Sequence, residues 1–357
     1  MSVSIIASVI PILAKNYLLE GQGVFSFIFI SMLCLICTIT TIIIIGITNE
    51  ESFYLINFKI LKRKVNTMKE VKVHWCNIEN FGDALNPYLI SKISGLPVKY
   101  RNYKTPSYYK ELRSLAKCIL TFKKYDFNRM LPYNRRESVV LGIGSLLDRS
   151  RSNFSVWGSG YMNNFERAEG GTLHAVRGRF SAEKLMKEGF PYCSVWGDPG
   201  LLLPRVYCPK KNKHYKVGII PHLKDYDYFK NKYRSNKNIK VIDLKTKDIE
   251  FVVDEIISCE YILSTSLHGV IVAQAYDIPT LWIKHNDINT DGIKFYDYFD
   301  SVGIKPYDGF EDYESLINDY ESAFVKHANI SKITTDLKKM QDNLLSVAPF
   351  PVLDKFK

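Results

Sequence analysis

The segment Ser264-Thr265-Ser266-Leu267-His268-Gly269 combines residue types that hold an anion and move a proton. Ser or Thr ahead of an apolar helical run, here Val270 to Ala275, is an N-cap signal. The open N–H groups and dipole of such a helix start attract phosphate or carboxylate. His268, in the first turn, adds a nitrogen that titrates near neutral pH. The plainer reading of these six residues is a capped helix with a packed histidine. Arg177 lies between a strand and the helix start Gly178-Arg179-Phe180-Ser181, where a guanidinium grips a carboxylate or phosphate through two N–H groups or else pairs with a surface acid. Asn80, Gly82 and Asp83 form the loop after the first strand, and Asp83 either orients a sugar hydroxyl or braces the loop. Asn86-Pro87 reads as N-cap and first helical residue. His222, Lys284 and His285 end other strands and can face the same cleft, whereas His74, inside a strand, reads as packed.

The elements that must position these side chains show in the periodicity. From Val71 onward short β-branched runs alternate with helical patterns, the signature of β-α-β units and a parallel sheet. Strands are expected at Val71–Trp75, Val139–Gly142, Ser155–Trp157, Leu173–Val176, Cys193–Trp196, Lys216–Ile220, Lys240–Ile242, Tyr261–Leu263 and Thr280–Ile283. Helices are expected at Pro87–Ser94, Phe180–Glu188, Ile249–Ser258, Leu267–Tyr276, Tyr313–Val325 and Ser331–Leu345. The turns after the strands are rich in Gly, Ser, Arg and His, and open α/β sheets bind ligands at those carboxyl ends. The fold class is therefore α/β, with two Rossmann-like domains facing a cleft. A polar, basic break near 204–213 divides them into residues 68–208 and 209–357, the second carrying terminal helices.

Residues 1–67 read differently. Val24 to Gly46 is almost wholly apolar and long enough to span a bilayer, and the basic flank Lys59, Lys62, Arg63, Lys64 would place the rest at the cytoplasmic face behind a single-pass anchor. The competing expectation is a chain that begins at Met68 and is cytoplasmic. Composition narrows the classes further. With 357 residues, 46% hydrophobic and 24% charged, the chain is neither disordered nor collagen-like. The net charge of +11 is spread out and fits no nucleic-acid motif, and it suits phosphorylated small molecules, anionic lipid headgroups or acidic polymers alike. Seven cysteines, scattered and odd in number, argue against a disulfide framework, and Cys34 and Cys37 sit inside the apolar run. No metal-binding spacing, P-loop or G-x-S-x-G occurs, so neither metal nor cofactor is expected.

Six short motifs stand in one order: Asn80-Phe81-Gly82-Asp83-Ala84-Leu85-Asn86-Pro87-Tyr88, Val156-Trp157-Gly158-Ser159-Gly160, Ala175-Val176-Arg177-Gly178, Gly197-Asp198-Pro199, Gly218-Ile219-Ile220-Pro221-His222 and Ser264 to Gly269. In that order they resemble the polysaccharide pyruvyl transferases, most closely the ketal-forming branch of exopolysaccharide synthesis. The resemblance covers roughly Val71 to Asp300. It implies a GT-B-like frame and transfer of the enolpyruvyl unit of phosphoenolpyruvate, as co-substrate, onto two hydroxyls of a sugar in a polysaccharide or lipid-linked oligosaccharide. It also implies His268 as acid/base, Arg177 on the donor, and Ser264, Thr265 and Ser266 around an anionic group of the donor. Asn80, Gly82 and Asp83 would then lie towards the acceptor. Many members carry arginine where this chain has Ser266, so the missing charge is expected from Lys284 or Arg179. A glycosyltransferase using a nucleotide sugar is the alternative on the same frame, and a membrane-tethered scaffold is a third.

Overall fold

The β-branched runs form nine strands among the described residues, arranged in two sheets in which every pairing is parallel. The computed structural model describes residues 68–103, 108–121, 137–210, 212–286 and 288–357. The expected apolar helix and its basic flank lie outside the described residues. Among the described residues no helix is long and apolar enough to cross a membrane.

The first sheet contains β1 (Val71–His74), β2 (Val98–Tyr100), β3 (Val139–Leu141), β4 (Phe154–Trp157) and β5 (Thr172–Ala175), in the order β2-β1-β3-β4-β5. The second contains β6 (Tyr215–Ile220), β7 (Ile239–Val241), β8 (Cys259–Ser264) and β9 (Thr280–Trp282), in the order β7-β6-β8-β9. Strand order therefore reverses beside β1 in one sheet and beside β6 in the other, and crevices open at the carboxyl ends where it does. The principal helices are α1 (Phe81–Ser94), α2 (Tyr108–Leu120), α3 (Arg179–Lys187), α4 (Leu203–Val206), α5 (Tyr226–Tyr233), α6 (Ile249–Ile257), α7 (Leu267–Ala275), α8 (Ile293–Ser301), α9 (Tyr313–Asn318), α10 (Tyr320–Lys326), α11 (Ala328–Ser331) and α12 (Leu337–Ser346).

Both sheets lie within Met68–Lys357 and share one apolar cluster, in which Val73, Leu85 and Leu89 of the first meet Val252, Ile256 and Val272 of the second. Polar links cross the same seam. Phe81 N donates to Leu244 O at 2.8 Å and the Tyr88 hydroxyl donates to Glu250 at 2.7 Å. The chain also returns from the second half to the first, since Trp157 Nε1 in β4 donates to Leu344 O in α12 at 2.8 Å. These contacts hold the carboxyl ends of the two sheets in a fixed relation, which a two-sided site requires.

Several elements differ from the sequence expectation, each for a local reason. Helix α1 begins at Phe81 with Asn80 as its N-cap, so Pro87 is interior. Proline has no N–H for the carbonyl four residues back, which is Asp83 O, and Asn86 Nδ2 donates to that oxygen instead at 3.4 Å. Asn86 is fully buried and continues the backbone ladder sideways, accepting from Ile143 N at 2.8 Å and donating to Ile143 O at 3.0 Å. The run at Cys193–Trp196 makes a single bridge, Trp196 to Val176, because Gly197 at φ 143° and Pro199 turn the chain at once into a 3-10 turn. The helical pattern at Tyr313–Val325 is two helices broken at Asp319, and the last begins at Leu337, with Asp336 capping Lys339 N.

Candidate active site

His268 stands where the two crevices meet. It is the second residue of α7, directly beyond β8, and Gly82 at the start of α1 faces it from the other sheet. A Cβ built on Gly82 would lie 2.1 Å from His268 Nδ1, so only a hydrogen there lets the helix start approach the ring. Gly82→Ala is expected to push the imidazole off its seat, at a cost of about 1–3 kcal/mol. A urea melt measured alongside turnover checks this, and a variant unchanged in both would show that the approach is not tight.

The Nε2 atom of His268 is buried and has no hydrogen-bond partner among the described residues. Burial drives its pKa down to about 3, and the charges of Lys294, Arg177 and the neighbouring His222 add to the depression. The imidazole is therefore neutral at physiological pH. His222, on the loop after β6, is lowered by burial and by Lys294. The sign for stability follows directly. His268 binds protons more weakly folded than unfolded, so its contribution is complete above pH 6.5 and is lost as pH falls towards about 3. Within that window it removes up to about 1.4 kcal/mol per pH unit. Urea midpoints should fall with acid less steeply in His268→Gln than in the wild type; parallel curves would contradict the assignment.

The hydroxyls expected to meet a ligand have internal duties. Ser264 Oγ donates to Ile220 O at 2.8 Å and accepts from Ser266 N at 3.0 Å. Thr265 Oγ1 donates to Asp225 at 2.9 Å and accepts from His222 N at 2.7 Å. They stitch the end of β8 to the end of β6 and fix where α7 begins. Ser266 is the N-cap residue by backbone geometry, yet its side chain makes no capping bond. The first-turn N–H groups of α7 keep no intrahelical acceptor, as at any helix start.

Arg177 is wholly buried. Its Nε donates to Asp297 Oδ2 at 3.1 Å, Nη1 to Ser145 Oγ at 2.7 Å and Nη2 to Tyr161 O at 2.7 Å. Asp297 also accepts from Ser181 N and Ser181 Oγ, at 2.9 and 2.6 Å. The Gly158-Ser159-Gly160 turn makes the seat for this network, since a Cβ on Gly160 would lie 2.4 Å from the guanidinium carbon. Arg177 thus bounds the site and charges it, with every nitrogen committed to the protein.

The other sequence candidates are dispersed. Arg179 is about half exposed and pairs with Asp300 at 2.9 Å. Lys284 faces Asp308 at 3.6 Å and lines a cavity of about 600 Å³ with Thr265, His285, Asn286 and Tyr313. That cavity is not lined by His268. Asn80 Nδ2 donates to Asp83 Oδ2 at 2.6 Å, and burial raises the Asp83 pKa. His74 is packed, with Nδ1 2.8 Å from Arg101 O.

Two site residues escaped the sequence reading. Lys294 and Asp297 lie on α8, whose aromatic-rich run Ile-Lys-Phe-Tyr-Asp-Tyr-Phe-Asp-Ser is not among the expected helices. Asp198 lies in the Gly197-Asp198-Pro199 turn, where the sequence alone gives it no role. It is fully buried, its pKa raised to about 6 by burial, with one oxygen accepting from Gly200 N and the other unpartnered among the described residues.

Residues 80–287 match the family described as polysaccharide pyruvyl transferase, a span that contains the histidine, the facing glycine and the buried arginine. The chain belongs to that family. Membership of a pyruvyl transferase family implies a transferase. One relative, "Uncharacterized protein L143" of Acanthamoeba polyphaga mimivirus, is 28% identical over 289 residues, covering 78% of this chain and 91% of its own. Among solved structures the UDP-GlcNAc 2-epimerase of Methanocaldococcus jannaschii aligns at 12% identity and a TM-score of 0.39, over 76% of this chain and 97% of that one.

Proposed function

We propose that this polysaccharide pyruvyl transferase moves the enolpyruvyl unit of phosphoenolpyruvate onto two hydroxyls of one sugar, forming a cyclic pyruvate ketal and releasing phosphate. The acceptor is a sugar of a surface polysaccharide or of its lipid-linked precursor, and a chain of net charge +11 suits an acceptor carried on anionic lipid at the cytoplasmic face. The frame is GT-B-like, with donor and acceptor between the two parallel sheets. The observation that carries the reading is the neutral Nε2 of His268, unpartnered among the described residues and held beside Lys294, Arg177 and His222, in a family whose name specifies pyruvyl transfer.

The chemistry balances on this site. A sugar oxygen bonds to C2 of the donor while C3 takes a proton and becomes a methyl group. The C2–O bond to phosphate then breaks, and the second sugar oxygen takes its place. Of the two hydroxyl protons, one ends on C3 and the other on phosphate. The anionic donor bound beside the ring raises its proton affinity, so that the imidazole accepts the first hydroxyl proton and the imidazolium so formed is the acid for C3. The cationic surroundings favour the charge that accumulates on phosphate.

Competition between ligands tests this reading against its alternative. Titration should show saturable binding of phosphoenolpyruvate and none of UDP- or GDP-sugars. Tight nucleotide-sugar binding without phosphoenolpyruvate binding would make the protein a glycosyltransferase.

A further inference from the structure

Lys294 is the second residue of α8 and is only 6% exposed, yet its ammonium makes no hydrogen bond or ion pair among the described residues. Its Nζ lies 5.4 Å from the centroid of the Phe295 ring. No carboxylate is among the groups that act on it, and Asp198, whose second oxygen has no partner among the described residues, acts on Arg177 instead. Asp297, one turn on, takes Arg177 Nε and both donors of Ser181. Asp225, beyond His222, takes Thr265 Oγ1 and Asn286 Nδ2 at 2.9 and 2.8 Å. The groups that Lys294 acts on electrostatically are His268 on α7 and His222 after β6, and Arg177 at the end of β5 acts on Lys294 in turn. The chain has therefore placed a second cation beside a buried arginine, next to two neutral imidazoles, without a counter-charge of its own. An ammonium withdrawn from most of its water without a protein partner is costly to hold, so an anion that reaches it gains an ion pair.

The remaining cations near the cleft are not equivalent. Arg179 is bidentate to Asp300, and Lys284 faces Asp308 on the exposed side of the neighbouring cavity. Neither occurs among the charges that act on His268.

We propose that Lys294 is the cation that receives the anionic head of the donor, phosphate or carboxylate, and seats it against His268. The proposal rests on the donor being phosphoenolpyruvate, as argued above. It gives this chain a route to the charge expected at position 266, where a serine stands. It also couples donor binding to a proton. Burial, reinforced by Arg177, holds the free ammonium at a pKa of about 8, and a bound anion must raise it. Asp297 on its own helix is spent on Arg177, and His268 and His222 are neutral above pH 6.5, so Lys294 is the facing group that changes charge in this range. Donor affinity should be flat just below pH 8 and fall about tenfold per pH unit above it.

Calorimetric titration of the whole chain with phosphoenolpyruvate and, separately, inorganic phosphate, between pH 7 and 9.5, tests this. Lys294→Met should weaken phosphoenolpyruvate binding at pH 7 by about tenfold or more and abolish the decline above pH 8. In the absence of ligand its melting temperature should equal or exceed the wild type's, because an unpaired buried charge has gone. Lys294→Gln serves as a second, polar variant and should behave alike. Unchanged binding in either folded variant, or a lowered melting temperature in both with the pH profile intact, would overturn the role. Failure of the wild type to bind phosphoenolpyruvate would instead overturn the donor assignment. Phosphate binding that is lost in Lys294→Met would then still support the anion seat, and phosphate binding that is retained would overturn it.

Discussion

His268→Ala should lower the rate of donor turnover by about 10²- to 10⁴-fold while leaving the fold in place, the range expected when a general acid–base is removed. The two halves of this expectation have separate causes. The Nε2 atom has no partner among the described residues, so truncating the side chain strands no hydrogen bond there. The ring nonetheless occupies the junction of the crevices, against Gly82 and among Lys294, Arg177 and His222. Burial, with the charges of Lys294, Arg177 and His222, keeps the ring neutral at assay pH. Phosphate release with a glycan acceptor measures the rate, and near-ultraviolet circular dichroism measures the fold. Rates close to wild type would remove His268 from the chemistry.

Arg177→Met should behave in the opposite way, with stability as the main casualty. Removing the guanidinium leaves the Asp297 carboxylate buried without its ionic partner, and it strips donors from Ser145 Oγ and the Tyr161 carbonyl. Breaking a buried pair from one side costs about 3–5 kcal/mol. Arg177→Lys should recover little, because a single ammonium cannot reach three acceptors set by a planar fork. Urea unfolding followed by tryptophan fluorescence gives the number. A loss below about 1 kcal/mol would mean that the network does not hold α8 to the end of β5. Since α8 also carries Lys294, the Arg177 variants should lose donor affinity as well, but only together with stability.

Much of this arrangement was legible in the chain. The runs at Lys216–Ile220 and Tyr261–Leu263 are short, largely apolar and followed by turn residues, so the parallel strands and the turns at their carboxyl ends are legible in the sequence. His268 followed from its place after such a strand. Arg177 was found but its partner was not, because Asp297 is 120 residues away and sequence spacing carries no signal over that distance. The same gap hid Lys294: nothing local distinguishes it from a surface lysine, and only tertiary packing withdraws it from water. Arg179 and Lys284 sit beside acids, Asp300 and Asp308, that spacing does not pair with them, and Lys284 also lines the cavity with Thr265 and His285. Asn86 misled for a different reason. An Asn-Pro pair usually opens a helix, but here the side chain takes over the acceptor that the proline frees and the helix runs on through it.

The central claim is that C2 of phosphoenolpyruvate becomes a ketal carbon bonded to two oxygens of one sugar. Incubating the protein with [2-13C]phosphoenolpyruvate and oligosaccharides from the native polysaccharide, with carbon and phosphorus spectra recorded over time, follows that atom itself. The predicted result is replacement of the vinylic C2 signal by that of a saturated ketal carbon on the glycan, with one inorganic phosphate released per ketal and neither change in His268→Ala. A C2 signal that stays vinylic, or phosphate release that leaves free pyruvate and an unmodified glycan, would contradict it.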